Sequence, residues 1–178
     1  MTPSNYGERA RIGMLLPSSN QAAEPQFHTM MPAGVAVHTT RLPLNGSSEK
    51  AFLGMAEGVE TAAELVSDAG ANLLLFHCTA VSTYSESLEK SIIARMALAT
   101  GKPVTATSEA IVAALHALSA KRVVMISPYL QKVNESEAKF LRARGFDIIG
   151  LAGLDCENAA AMMSITPDQW IAFAKAHR

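Results

Sequence analysis

The sequence is short of several things, and each shortage narrows what the chain can do. Cysteine occurs twice in 178 residues, at Cys78 and Cys156, far apart and without CxxC spacing. That argues against a disulfide framework and fits a reducing, cytoplasmic setting. The five histidines show no metal-ligand spacing, so no metal site is expected. No run approaches the roughly 18 continuous apolar residues of a membrane span. The start, Met1 to Arg9, is polar and has no signal-peptide core. Charged residues make up 17%, the net charge is −1 and the pI is about 6.5. Without a basic run, nothing in the electrostatics supports nucleic-acid binding. Neither GxGxxG nor GxxxxGK appears, which argues against a nucleotide enzyme.

Apolar residues are plentiful, at 49%. They suffice for a substantial core in one ordinary domain or two small ones. Their spacing alternates short strands with longer amphipathic helices. Strands are expected over 11–16, 35–40, a run ending at Cys78, 103–106, 121–126 and 146–151. Phe52, Met55, Val59, Ala62, Val66 and Ala69 share one face of a helix opened by Ser47 and Ser48 and stopped by Gly70. Further helices run from Ser85 to Thr100, from a cap at Thr107 or Ser108, and from Asn134 to Arg144. Thr166-Pro167-Asp168-Gln169 is a capping box that opens the last one. Ile111, Ala114, Leu115 and Leu118 form the apolar face of the helix after residue 108. The stretch around Phe27, Met30 and Met31, broken by Pro25 and Pro32, has no clear pattern.

The repeated strand–helix order predicts an α/β fold with parallel sheets flanked by helices. Four strands precede residue 107 and two follow it. The second set either is a half cut short or extends the first sheet. The division falls between residues 1–106 and 107–178, with 101–108 as the hinge.

Parallel strands present their carboxyl ends to a crevice, where ligands bind. Cys78 stands at one such end, Pro17-Ser18-Ser19-Asn20 at a second and Ser127-Pro128-Tyr129 at a third. Small polar groups with a thiol among them suggest a pocket for a small anion. Cys78 is a candidate nucleophile, the alternative being an inert buried thiol. His77 should face the other side of its strand and reads as a core histidine rather than a base. Cys156 follows no comparable strand and receives no site role.

The segments Ile12-Gly13-Met14-Leu15-Leu16-Pro17-Ser18-Ser19-Asn20, His77-Cys78-Thr79-Ala80 and Lys121 to Tyr129 together resemble the aspartate/glutamate racemase superfamily. The branch of maleate cis-trans isomerase and arylmalonate decarboxylase is the most similar. The resemblance implies two similar α/β halves facing a cleft, a cysteine from each half flanking the substrate, and no metal or organic cofactor. Cys78 resembles the nucleophile that adds to a double bond. Asn20, with Ser19 beside it, resembles a carboxylate holder. Thr79 and Tyr129 resemble donors to the same anion, Ala80 occupies a place where decarboxylases have serine, and Asn158 resembles a second-half substrate asparagine.

The family's second cysteine lies on a strand this sequence does not reach. The second half is therefore expected to be incomplete, and the chain a fragment or truncated product.

The activity implied is cofactor-independent isomerisation of a small, maleate-like dicarboxylate. A thiolate would have to form near neutral pH, and a following helix N-terminus is expected to help it. An arylmalonate-type decarboxylase and an Asp/Glu-type racemase are alternatives of the same fold. A non-catalytic carboxylate-binding module, or a degenerate truncated enzyme, is an alternative of another class. An exposed incomplete half favours association, a homodimer being one outcome.

Overall fold

The computed structural model of the protein describes residues 5–177. The first four residues of the polar start, and Arg178, lie outside the described residues. The first sheet has four parallel strands in the order β2-β1-β3-β4, namely β1 (Ala10–Pro17), β2 (Val35–Leu42), β3 (Leu73–Phe76) and β4 (Val104–Ala106). β1 sits between two neighbours and is buried through its second half, with Met14, Leu15 and Leu16 fully enclosed. Alternate residues feed opposite faces. Leu15, Leu74 and Phe76 join one core with Phe52, Met55, Val59, Val66, Ile92 and Met96. Met14, Leu16 and Leu75 join a smaller one with Ala23 and Val37.

Helices α2 (Glu49–Glu57), α3 (Val59–Asp68) and α5 (Glu86–Thr100) cover the larger core. The expected single helix after Ser48 is thus two, meeting at Gly58, whose backbone (φ −95°, ψ 8°) leaves the helical region. Glycine resists helix continuation because it loses the most backbone entropy there. Gly13 lets α3 close on the sheet: a Cβ at that position would stand 2.7 Å from Leu74 and 2.8 Å from Val66.

The smaller core is covered by α1 (Ala23–Met30), a helix the sequence pattern did not reveal. Pro25 lies in its first turn, where an amide has no intrahelical acceptor, so the proline is tolerated. β3 stops at Phe76, two residues earlier than expected, and Cys78 precedes the single turn α4 (Thr79–Ser82).

The two later strands do not extend the first sheet. β5 (Arg122–Ser127) and β6 (Asp147–Gly153) pair in parallel as a separate two-stranded sheet. Helix α7 (Gln131–Ala143) packs on it through Ala138, Phe140 and Leu141. Helix α6 (Thr107–Ala117) lends Ile111 and Leu115 to the same cluster. Its expected apolar face is only half used, because Leu118 is 76% exposed. Nor does Thr107 or Ser108 cap α6. Thr107 Oγ1 donates to the Phe76 carbonyl instead (3.3 Å), and the buried Ser108 hydroxyl has no partner among the described residues. The chain closes with α8 (Ala159–Met163), unforeseen, and α9 (Pro167–Ala176), opened by the expected capping box. Among the described residues no helix is long and apolar enough to cross a membrane.

Candidate active site

The carboxyl ends of β1, β3, β5 and β6 converge on one cleft of about 180 Å³. Ser19, Asn20, Cys78, Ala80, Tyr129 and Asn158 line it, with Leu44, Phe52 and Met162 as an apolar wall. Thr79 does not. It faces a separate cavity of about 380 Å³ behind Tyr129, which that tyrosine also lines. Cys156 and His77 lie outside the cleft. The His77 ring is stacked edge-on against Phe27 at 5.4 Å, 3.4 Å from the Thr107 hydroxyl, on the other side of the first sheet.

The local folding of each wall explains its donors. Asn20 Oδ1 accepts from the amides of Ala22 (3.0 Å) and Ala23 (2.9 Å), at the start of α1. Its carbonyl oxygen is thereby occupied, and its side-chain NH2 has no protein acceptor among the described residues. Asn158 repeats the device as N-cap of α8, with Oδ1 accepting from Ala161 at 3.0 Å. Two capping asparagines therefore leave NH2 groups available at opposite edges of the cleft. Arg41 braces the 18–20 loop from β2, donating to the carbonyls of Ser18 (3.1 Å) and Asn20 (2.7 Å) while pairing with Glu24. Its charge is spent on the loop and on Glu24, and it does not line the cleft.

Tyr129 is held from beneath. Its amide donates to Ser127 Oγ at 2.9 Å, Ser127 bonds the buried Asn134, and Asn134 Nδ2 donates back to the Tyr129 carbonyl at 3.1 Å. Gly153 lies against this knot, and a Cβ there would come within 2.5 Å of the Tyr129 carbonyl oxygen. The amides of Leu154 and Cys156 donate to the carbonyls of Ser127 and Pro128, which extends the β5–β6 pairing and carries Asn158 to the cleft. Arg41, Asn134 and Gly153 were missed by reading the sequence, which noticed Ser127 only as part of a strand end. The Ser-Pro-Tyr turn with an Asn seven residues beyond Ser127 was the available signal, but only tertiary contact gives it meaning.

Burial governs the electrostatics. Cys78 is 7% exposed, and loss of water pushes its thiol up to about 12. A hydrogen bond from the Val81 backbone opposes this, and the charge of Glu137 adds to it. The expected lowering by a helix N-terminus does not prevail in the resting protein. α4 is one turn long, and desolvation exceeds what one amide returns. Burial, followed by Glu137 and Cys78, also raises the Tyr129 phenol, with the Thr79 side chain opposing part of the rise. The phenol stays protonated and serves as an O–H donor.

Comparison with known proteins adds the following. A family model described as arylmalonate decarboxylase matches residues 12–177. A maleate isomerase of Pseudomonas putida is 28% identical over 171 residues, covering 88% of this chain and 68% of its own. A variant of Nocardia farcinica maleate cis-trans isomerase, solved with a covalently bound succinylcysteine intermediate, superposes with a TM-score of 0.84 at 24% identity, covering 94% of this chain and 72% of its own. A liganded variant of arylmalonate decarboxylase gives 0.83 at 23% identity, with 94% and 71% covered.

Proposed function

We propose that this chain, which belongs to the arylmalonate decarboxylase family, carries the catalytic thiol of a cofactor-independent cis-trans isomerase acting on a maleate-like dicarboxylate. One observation carries the reading. A cysteine forms part of a cleft whose remaining polar side chains, apart from Glu157, are uncharged donors suited to carboxylates: Ser19, Asn20, Ser47, Tyr129 and Asn158. The succinylcysteine in the Nocardia farcinica relative supports the same role for a thiol.

In the reaction, Cys78 Sγ, as thiolate, bonds to one alkene carbon. The π electron pair moves to the adjacent carbon and into its carboxylate, where Asn20, Asn158 and Tyr129 stabilise the charge. The remaining C–C single bond rotates. The electron pair then returns, the C–S bond breaks, and the trans dicarboxylate leaves. The thiol must first lose its proton to water entering the open cleft, and desolvation keeps the ionised fraction small until then.

The apolar wall of Leu44, Phe52 and Met162, together with the family model, favours a second reading, the decarboxylation of an aryl-substituted malonate. The halves 1–106 and 107–178 act as opposing walls in either case. The exposed Leu118 and the β5 edge not paired with β6 support a homodimer, and two unpaired thiols support a cytoplasmic site of action.

Protein incubated with maleate and followed by NMR should yield fumarate, and Cys78→Ala should yield none. Equal conversion by both proteins overturns the assignment. Loss of carbon dioxide from phenylmalonate, with maleate untouched, selects the second reading. Sedimentation as a monomer at micromolar concentration rejects the dimer.

A further inference from the structure

One buried acid near the cleft has no part in the chemistry above. Glu137, on α7, is 6% exposed, and its Oε1 has no hydrogen-bond partner among the described residues. It lines the cavity behind Tyr129 together with Thr79, Thr83 and Ser127. Thr79 directly follows Cys78 in the chain, and Tyr129 belongs to both this cavity and the cleft. A buried carboxyl without a cation stays protonated unless something draws the proton away.

We propose that Glu137 is a positioning residue for the thiol: while its carboxyl holds a proton Cys78 can ionise, and once it is a carboxylate that ionisation is opposed. The inference rests on the reading of Cys78 as the nucleophile. Its physical content is a charge count. Thiol with carboxylate and thiolate with carboxyl each carry one negative charge, whereas thiolate with carboxylate places two in a dry region. Thiolate is therefore tolerated in the protonation state of Glu137 that leaves it the only anion.

The groups facing Glu137 are consistent with this. Thr79 and Thr83, at the two ends of α4, are neutral and line the same cavity, with Cys78 directly before Thr79; from the loop after β5 comes the protonated Tyr129 phenol. β5 and α6 contribute only apolar side chains beside Ser127. The charges of α5 and of the end of α7, Glu86, Lys139 and Arg144, line a different groove, where Arg144 is paired with Glu89. Burial alone accounts for the rise of Glu137 to about 7, so its titration falls near neutral pH. Its charge acts on both Cys78 and Tyr129.

The test is the pH dependence of Cys78 alkylation by iodoacetamide, measured on the full chain in a Cys156→Ser background so that one thiol reports. The reagent consumes thiolate and requires no turnover, so the result is independent of whether maleate is the substrate. A lone thiol gives a logarithm of rate that climbs by one per pH unit. The expected profile climbs that way below pH 6, flattens near 7, and resumes on a lower line, because the Glu137 charge raises the thiol. Glu137→Gln should match the unmodified protein at low pH and run straight, leaving it faster at pH 9. A straight profile without the Glu137 substitution, or a break that persists in Glu137→Gln, overturns the proposal. Should Glu137→Gln fail to fold, the break near pH 7 before that substitution still decides.

Discussion

Gly153 is the position where one added methyl group tests how the cleft is built. It ends β6 beneath the Tyr129 loop. A Cβ there would fall on the Asn134 side-chain amide and come within 2.5 Å of the Tyr129 carbonyl oxygen. Restoring ordinary contact requires a displacement of about 1 Å. The loop cannot yield freely, because Ser127 and Asn134 tie it down and Asn134 is wholly buried. Overpacking costs about 1–3 kcal/mol, and a broken buried hydrogen bond adds about 1–3. Gly153→Ala should therefore lose roughly 2–6 kcal/mol, seen as a Tm lower by about 4–24 °C. Tyr129 would be misplaced by a similar distance, so turnover should fall by about 10²-fold even in the folded fraction. Gly150→Ala is the control on the same strand. Its Cβ would meet Val124 side-chain carbons at 3.3 and 3.4 Å and the His177 carbonyl oxygen at an ordinary 3.8 Å, and the cost should stay under about 1 kcal/mol. If Gly153→Ala matched Gly150→Ala in Tm and turnover, the account of a locked Tyr129 loop would be wrong.

Asn20→Asp keeps a capping oxygen for α1 but turns the NH2 donor into an acceptor. Tm should hold while KM for the dicarboxylate rises at least about tenfold, and an unchanged KM would remove Asn20 from binding. Arg144→Ala strands the buried Glu89 carboxylate, whose partner nitrogen is 2.5 Å away. Partial exposure of the arginine limits the loss to about 2–3 kcal/mol in urea unfolding, and Glu89→Gln in the same background should recover part of it. At pH 7 Cys78 should alkylate about 10³-fold more slowly than an exposed cysteine, because its thiol titrates near 12 instead of 9.0; comparable rates would show a solvated thiol. The folded protein holds the Glu137 proton up to about 7, whereas the unfolded chain releases it at its ordinary value. That stabilisation, up to about 3 kcal/mol, is complete below pH 4.5 and fades as pH rises to 7. Glu137→Gln should flatten this segment of the stability curve, and a curve of unchanged slope would contradict the buried acid.

Much of this protein follows from local sequence, because the signals involved are themselves local. Strand runs such as Ile12 to Leu16 and Leu73 to Phe76, the αL stop at Gly70 (φ 76°) and the capping box at Thr166 depend on neighbouring residues alone. The rule that parallel strands open at their carboxyl ends then brought Ser19, Asn20, Cys78 and Tyr129 to notice without coordinates. Where pattern reading failed, a distant contact decided. Gly58, where a Cβ would stand 3.1 Å from Leu42 of β2, divides one amphipathic stretch into two helices, and α1 forms where Ala23 is buried against Met14 and Leu16.

The chemistry of the cleft belongs to the tertiary structure. No spacing in the chain discloses that Arg41 spends its charge on the 18–20 loop, that Asn134 pins Tyr129, or that Glu137 lies in a cavity adjoining Cys78. Nor does a strand-end thiol announce whether water or protein surrounds it. Here protein does, and desolvation reverses the titration a short helix was expected to produce. Sequence fixes which groups exist and at which end of the sheet they emerge. Only folding sets the dielectric around them, because that is a sum over residues far apart in the chain.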